Sequence, residues 1–243
     1  MNGLNEFTTG PLTLDEMMKI ISLLENPSEA EFIRKALRFY EIPKTLRTFK
    51  WGENQNLMSV LAHYENPQND WELEQMLDVI RGKTKLLEIG SSFGGTLRRM
   101  ASVMTKGSLI VSVDLPVDST PKFLNPQDSL KDTCRKIGLL GGHVELFMGN
   151  SHSKQVVEAV RAYGPFDFGF IDGDHSYQGM KEDWENYGPM CKVVGFHDIA
   201  GALPDCQKCW QEIKALGYRT EEFVSGESPV FGIGIVHREE GIK

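Results

Sequence analysis

Residues Leu86–Thr96 read L-L-E-I-G-S-S-F-G-G-T, an apolar run that ends in a glycine-rich turn and passes at once into helix-compatible sequence. No other stretch limits the fold as strongly. A short strand that empties into glycines lets backbone N–H groups approach a ligand at the carboxyl edge of a parallel sheet. Gly90 and Gly95 match the outer positions of the dinucleotide pattern G-x-G-x-x-G, and Ser92 takes the middle one. A side chain at that middle place hinders the close approach of a pyrophosphate. A glycine-rich turn with no ligand, as any α/β protein can carry, is the plain alternative.

From Leu86 onward, strand-like and helix-like segments alternate. Strands are expected at 86–90, 108–114, 144–148, 166–172, 193–198, 220–224 and 231–237, with helices near 95–104, 126–138, 153–163, 177–187 and 206–216. Such alternation implies a doubly wound α/β fold, a seven-stranded and mostly parallel sheet covered on both faces in the Rossmann-like manner. Between Gly226 and Phe231 the last two strands are joined only by E-S-P-V, too short for a crossover, so they should pair antiparallel at one end of the sheet.

Residues 1–80 read as a helical accessory segment and 81–243 as the ligand-binding domain. Apolar residues at helical spacing mark 14–24 (Met17, Ile20, Ile21, Leu24) and 32–40, the latter ended by Pro43. Residues 45–56 lack a clear period and read as a loop. Leu73, Met76, Leu77 and Ile80 form an i, i+3, i+4, i+7 stripe, so a helix delivers the chain to the first strand. The segment can act as a lid or substrate wall, or serve packing or a homo-oligomer contact.

Charge removes several classes of function. A net charge of −8 and a pI near 5.3, with no basic run, argue against a nucleic-acid partner, which requires clustered Lys and Arg. Cys134, Cys191, Cys206 and Cys209 are too few and too uneven for a disulfide framework and read as reduced thiols. The C-x-x-C at Cys206–Cys209 has no second pair to complete a zinc site and reads as packing. No stretch approaches the roughly 20 apolar residues of a membrane span, and the amino terminus does not read as a signal peptide. A soluble, cytoplasmic protein without a membrane partner is expected.

In an open α/β sheet, ligands sit beyond the carboxyl ends of the strands, so the residues there carry the functional reading. Glu88 would repel phosphates and favours a cationic ligand. S-adenosylmethionine carries an ammonium and a sulfonium and no phosphate, so Glu88 and Ser92 together favour it over NAD. Asp114 ends the second strand, where a carboxylate accepts hydrogen bonds from a ribose diol. Asn150 and Ser151 after the third strand can face an adenine edge, although Ser151 or Ser153 can equally cap a helix. The fourth strand empties into Asp172, Asp174 and His175, within F-D-F-G-F-I-D-G-D-H-S-Y. Two carboxylates and an imidazole so close call for a cation, a mobile proton or open solvent; a solvated loop whose Ser176 or Asp174 caps the next helix is the alternative. His197 and Asp198 end the fifth strand, where Asp172 and Asp198 can converge on a divalent cation with His197 as a third ligand. A purely structural His-Asp pair is the alternative there.

Together, L-L-E-I-G-S-S-F-G-G-T, Asp114, F-I-D-G-D-H-S-Y and F-H-D-I resemble class I S-adenosylmethionine-dependent methyltransferases over about Leu86–Val236. The likeness is nearest to the branch of cephalosporin-hydroxylase-like and macrolide sugar O-methyltransferases; metal-dependent catechol and caffeoyl-CoA O-methyltransferases are more distant. The resemblance implies that Glu88, Gly90, Ser91, Ser92, Gly94 and Thr96 hold the methionine part of the cofactor. It likewise gives Asp114 the ribose and Asn150 with Ser151 the adenine side. Asp172 matches the first metal carboxylate and also borders the cofactor, His175 stands where relatives place a general base, and His197 with Asp198 match the adjoining metal pair. His197 departs from the acidic or amide residue usual there, and the K-P-G-G turn before the fifth strand is absent at Met190–Val194. The implied activity is methyl transfer to a small-molecule hydroxyl, assisted by Mg²⁺ or Mn²⁺. A metal-free methyltransferase, an NAD-binding oxidoreductase and a non-catalytic cofactor-binding protein are the competing readings.

Overall fold

Strand β1 (Lys85–Ile89) lies at the centre of the molecule, hydrogen-bonded in parallel to β2 (Leu109–Asp114) on one side and β4 (Phe166–Ile171) on the other. The computed structural model describes residues 69–116, 126–139, 141–226 and 230–242. The helices expected at 14–24 and 32–40, the loop at 45–56 and most of the 116–126 connection lie outside them. The described residues form one unit, with a seven-stranded sheet in the order β3-β2-β1-β4-β5-β7-β6. Here β3 is His143–Met148, β5 Cys191–Phe196, β6 Tyr218–Phe223 and β7 Ile233–Ile242. The first five strands run parallel, and β7 runs antiparallel to both β5 and β6. The order reverses beside β1, the point at which doubly wound folds bind ligands beyond the carboxyl ends of their strands.

Among the described residues six α-helices cover the sheet: α1 (Asp70–Ile80), α2 (Gly95–Val103), α3 (Pro126–Leu139), α4 (Lys154–Arg161), α5 (Tyr177–Tyr187) and α6 (Pro204–Lys214). Successive strand side chains point to opposite faces, which divides the core into two layers. Leu86, Ile110, Phe168 and Phe170 meet Leu73, Met76, Leu77 and Ile80 of α1, with Leu97 and Met100 of α2. Leu87, Ile89, Val111 and Val113 meet Val157 and Val160 of α4, Met180 and Tyr187 of α5 and Trp210 of α6. Thus α1, expected at the end of the accessory segment, packs inside the core of the sheet domain. Asn69 caps it, with its side-chain oxygen accepting from the N–H groups of Trp71 at 3.0 Å and Glu72 at 3.3 Å.

Several strand ends shift by one or two residues and β7 runs to Ile242, five residues past expectation; at two boundaries backbone conformation gives the reason. Strand β5 stops at Phe196, so His197 and Asp198 lie in the loop beyond it; Asp198 has φ +59°, which a strand cannot accommodate. Strand β7 begins at Ile233 rather than 231, because Gly232 at φ +77° breaks the extended run and leaves Phe231 in the connection. No helix among the described residues is long and apolar enough to cross a membrane.

Candidate active site

The turn after β1 is built so tightly that it must be glycine. Gly90 has φ +87°, and a Cβ there would stand 2.1 Å from the backbone oxygen of Asp172 at the end of β4. The glycine turn and the acidic loop are therefore in direct backbone contact. Ser92, at the middle position of the motif, has φ +49°, so the turn needs a left-handed residue there as well. Gly94 (φ +84°) fits against Thr133 and Leu130 of α3. Gly95 and Thr96 are buried in the first turn of α2.

Glu88 is completely buried on the α3 side of the sheet, where burial pushes its carboxyl up to about 8. Ser91 Oγ donates to its Oε2 and also lies 2.7 Å from Ser112 Oγ. Its other oxygen, Oε1, is buried without a hydrogen-bond partner. An acid left half satisfied has a strong drive to take a cationic donor. Asp114 accepts the Leu115 N–H at 2.9 Å, yet burial raises it to about 6.

After β3, Asn150 is exposed and its Oδ1 accepts the His152 N–H at 2.8 Å. Ser151 offers its carbonyl to the Tyr187 hydroxyl at 2.6 Å. Of the two serines considered as caps, Ser153 does the capping, its oxygen accepting the Val156 N–H.

Past β4 and β5 two carboxylates and two imidazoles converge. His197 Nδ1 lies 3.0 Å from Asp172 and 3.2 Å from Asp198. His175 Nε2 lies 3.5 Å from Asp172, and its Nδ1 is 3.4 Å from Asp198. Asp172, His175 and Asp198 each offer a ligand atom within 4.8 Å of the others. At Asp172 and the two imidazoles burial works against the charge, but the opposite charges and hydrogen bonds outweigh it. Burial alone would raise Asp172, whereas His197 and His175 bring it down to about 2; burial alone would lower His197, whereas Asp172 and Asp198 bring it up to about 10. His175 is also raised, chiefly by its hydrogen bond to Asp172. The two rings differ in access: His197 is buried against Phe231 at 5.3 Å, while the His175 side chain is 44% exposed. Both ring nitrogens of His197 lack a well-aligned hydrogen bond.

Ser176, not Asp174, caps α5: its oxygen accepts the Gly179 N–H at 3.1 Å, while Asp174 accepts from Ser176 N–H at 2.9 Å. Cys206 and Cys209 are buried, unpaired thiols that burial pushes up to about 12 and about 11, and Cys206 donates to the His175 carbonyl at 3.2 Å. Both side chains pack in the core that α6 shares with β5 and α5.

Residues 87–199 match the family model of a methyltransferase domain. The matched segment runs from β1 through the loop after β5, so it contains both the glycine turn and the Asp172–Asp198 cluster. No curated protein gives a sequence match. Solved structures share the methyltransferase fold at low identity. An O-methyltransferase from Bacillus cereus, solved with S-adenosylhomocysteine, has 15% identity and a TM-score of 0.52, with 92% of this chain and 96% of that one covered. CalS11, a TDP-rhamnose 3'-O-methyltransferase of calicheamicin biosynthesis, has 11% identity and a TM-score of 0.53, with 89% and 97% covered. TomG from Streptomyces achromogenes, an O-methyltransferase involved in tomaymycin synthesis and solved with S-adenosylmethionine, has 12% identity and a TM-score of 0.51, with 92% and 98% covered.

Three residues in and beside the site are missing from the sequence reading. Asp183 is fully buried on α5, with His152 Nε2 3.2 Å from its Oδ1. It belongs to the same helical stripe as Met180 and Tyr187, and a polar residue at that spacing was the available signal. Glu72 is fully buried on α1 and repeats at four-residue spacing with Met76 and Ile80. Phe231, the neighbour of His197, carried no signal because its partner is distant in sequence.

Proposed function

We propose that this methyltransferase moves the methyl group of S-adenosylmethionine to a hydroxyl oxygen of a small molecule, with a divalent metal at Asp172 and Asp198 and His175 as the base. One observation carries the reading: the Gly90 turn touches the Asp172 backbone, so the cofactor cradle and the acid–imidazole cluster are adjoining walls of one crevice. The residues present fit the donor. The unsatisfied Glu88 Oε1 suits the ammonium, Asp114 the ribose hydroxyls, and the exposed Asn150 with Ser151 the adenine edge. Ser91 spends its hydroxyl on Glu88 and orients that carboxyl, and Ser92, Gly94 and Thr96 supply turn backbone and helix start.

The cluster also fits a hard divalent cation, which prefers carboxylate oxygens. Asp172 and Asp198 would hold it, with a nitrogen of His197 completing the set. When bound, such an ion lowers the pKa of an acceptor hydroxyl and fixes its place. The protein's own contribution is alignment: a nucleophile held beside Asp172 faces the donor across the Gly90 turn. His175, the more exposed imidazole, is placed to take the hydroxyl proton at a ring nitrogen, and the carboxylates on either side stabilise the imidazolium.

A second reading has an observation of its own. His197 already compensates Asp172 and Asp198 at 3.0 and 3.2 Å, so the carboxylates are charge-paired without an ion. On that reading the enzyme is a metal-independent methyltransferase. Turnover after exhaustive chelation separates the two: loss that Mg²⁺ or Mn²⁺ restores supports the metal, and unchanged turnover refutes it. His175→Ala is expected to abolish turnover with S-adenosylhomocysteine affinity nearly unchanged by calorimetry. A large loss of affinity would remove the base assignment. Asp172→Asn is expected to weaken the metal response.

A further inference from the structure

Glu72 lies in the first turn of α1 and is fully buried, yet its two carboxylate oxygens serve two backbone donors instead of a surface cation. Ser225 N–H donates to Oε1 at 2.7 Å and Gly232 N–H to Oε2 at 2.9 Å. These donors stand at opposite ends of the connection between β6 and β7. One side chain thus ties both ends of that connection to the helix before β1.

The far end of the connection packs without slack on the loop that follows β5. Ala200 N–H donates to the Phe231 carbonyl at 2.7 Å, and Ile199 N–H to the Gly232 carbonyl at 3.3 Å. A Cβ on Gly201 would meet the Val230 oxygen at 2.1 Å, and one on Gly232 would meet Ile199 at 2.9 Å. The same loop carries His197 and Asp198, and the Phe231 ring lies 5.3 Å from the His197 imidazole at an interplanar angle of 38°. From Glu72 to Asp172 the chain of contacts is continuous: carboxylate, Gly232 backbone, Phe231 ring, His197 ring, Asp172 carboxylate.

We infer that Glu72 is a positioning residue of the active site: through the backbone of Ser225 and Gly232 it sets Phe231 against His197 and so fixes the His197–Asp198 segment opposite Asp172. A carboxylate suits the task because, among side chains of this length, it alone offers a separate acceptor oxygen to each of the two N–H donors. Glutamine at this position would turn one acceptor into an NH₂ facing an N–H, leaving that donor buried and unpaired. The inference rests on the proposal that the His197–Asp198 loop belongs to the methyl-transfer site, but its first readout is independent of that proposal.

The test uses the full chain labelled at histidine rings, with the His197 signal assigned from His197→Gln. Glu72→Gln is compared with Ile80→Ala, a core truncation at the far end of the same helix. Glu72→Gln is expected to move the His197 ring resonances, and Ile80→Ala to leave them in place despite its loss of stability. In methyl transfer, Glu72→Gln should lower kcat by up to about 10²-fold with little change in donor affinity, as a misplaced reacting geometry does. Glu72→Asp, which keeps both oxygens one methylene back, should recover part of that loss, and carries the same comparison should Glu72→Gln not fold. His197 resonances that stay in place in the folded Glu72 variants, or move equally in Ile80→Ala, would overturn the positioning role. If the wild-type chain transfers no methyl group while the Glu72 variants still displace His197, the positioning stands and the functional reading fails.

Discussion

Replacing Gly90 by alanine puts the junction between the cofactor turn and the acidic loop under a measurable load. The new Cβ would lie 2.1 Å from the Asp172 carbonyl oxygen and 2.5 Å from Gly173 Cα, whereas Cβ contacts below 3.0 Å essentially do not occur. Backbone must therefore separate by about 1 Å, since no side-chain rotamer can relieve a clash between main-chain atoms. The link at risk is the Asp172 N–H to Ile89 carbonyl bond, 2.9 Å long, which joins β1 to β4 where Asp172 begins the loop. Leaving such a buried pair unmade costs about 1–3 kcal/mol, and holding alanine at φ +87° costs roughly 1–2 kcal/mol more. Together these predict a loss of about 3 kcal/mol by urea denaturation. Gly82→Ala provides the internal control: its φ is +76°, but a Cβ there meets nothing within 4 Å. It should lose only the conformational part, roughly 1 kcal/mol. Equal losses for the two substitutions would refute the claim that Gly90 is required by the approach of Asp172. S-adenosylhomocysteine affinity should fall in Gly90→Ala and stay unchanged in Gly82→Ala.

Two other perturbations test the core and its electrostatics. Glu88 titrates near 8 when folded against 4.5 as the ordinary value, so between these the native state holds a proton that the unfolded chain has released, and stability is lost as pH rises from about 4.5 to 8. Glu88→Gln should remove that slope, so that its stability relative to wild type grows from pH 5 to pH 9 by on the order of 3 kcal/mol; parallel urea-midpoint profiles would refute the assignment. Trp210 is fully buried, 5.6 Å from the Phe196 ring and packed on Gly234, with its indole N–H donated to Glu222 at 2.5 Å. Trp210→Ala should cost about 3–5 kcal/mol by calorimetric unfolding, and a loss below about 1 kcal/mol would show that α6 is not anchored through this ring.

The local pattern alone determined a great deal. An apolar strand, a glycine turn and alternating strand and helix sequence make the doubly wound sheet legible, because side-chain periodicity and glycine placement are properties of neighbouring residues. For the same reason the strand-end residues Glu88, Asp114, Asp172, His175, His197 and Asp198 stand out: topology sends every parallel strand's carboxyl end to one edge. The short connection E-S-P-V likewise predicted the antiparallel pairing of the last two strands.

Only tertiary structure decided the rest. It placed β7 between β5 and β6, packed α1 into the core of the sheet, and ended β5 before His197 through the left-handed Asp198. It brought His175 and His197 to the same pair of carboxylates with unequal burial. It also joined Glu72 to Ser225 and Gly232 across more than half of the chain's length. Contacts of this kind follow from where backbone N–H groups and rings end up once the sheet is assembled. A first-turn glutamate looks the same in sequence whether it faces water or holds the loop beside an active site.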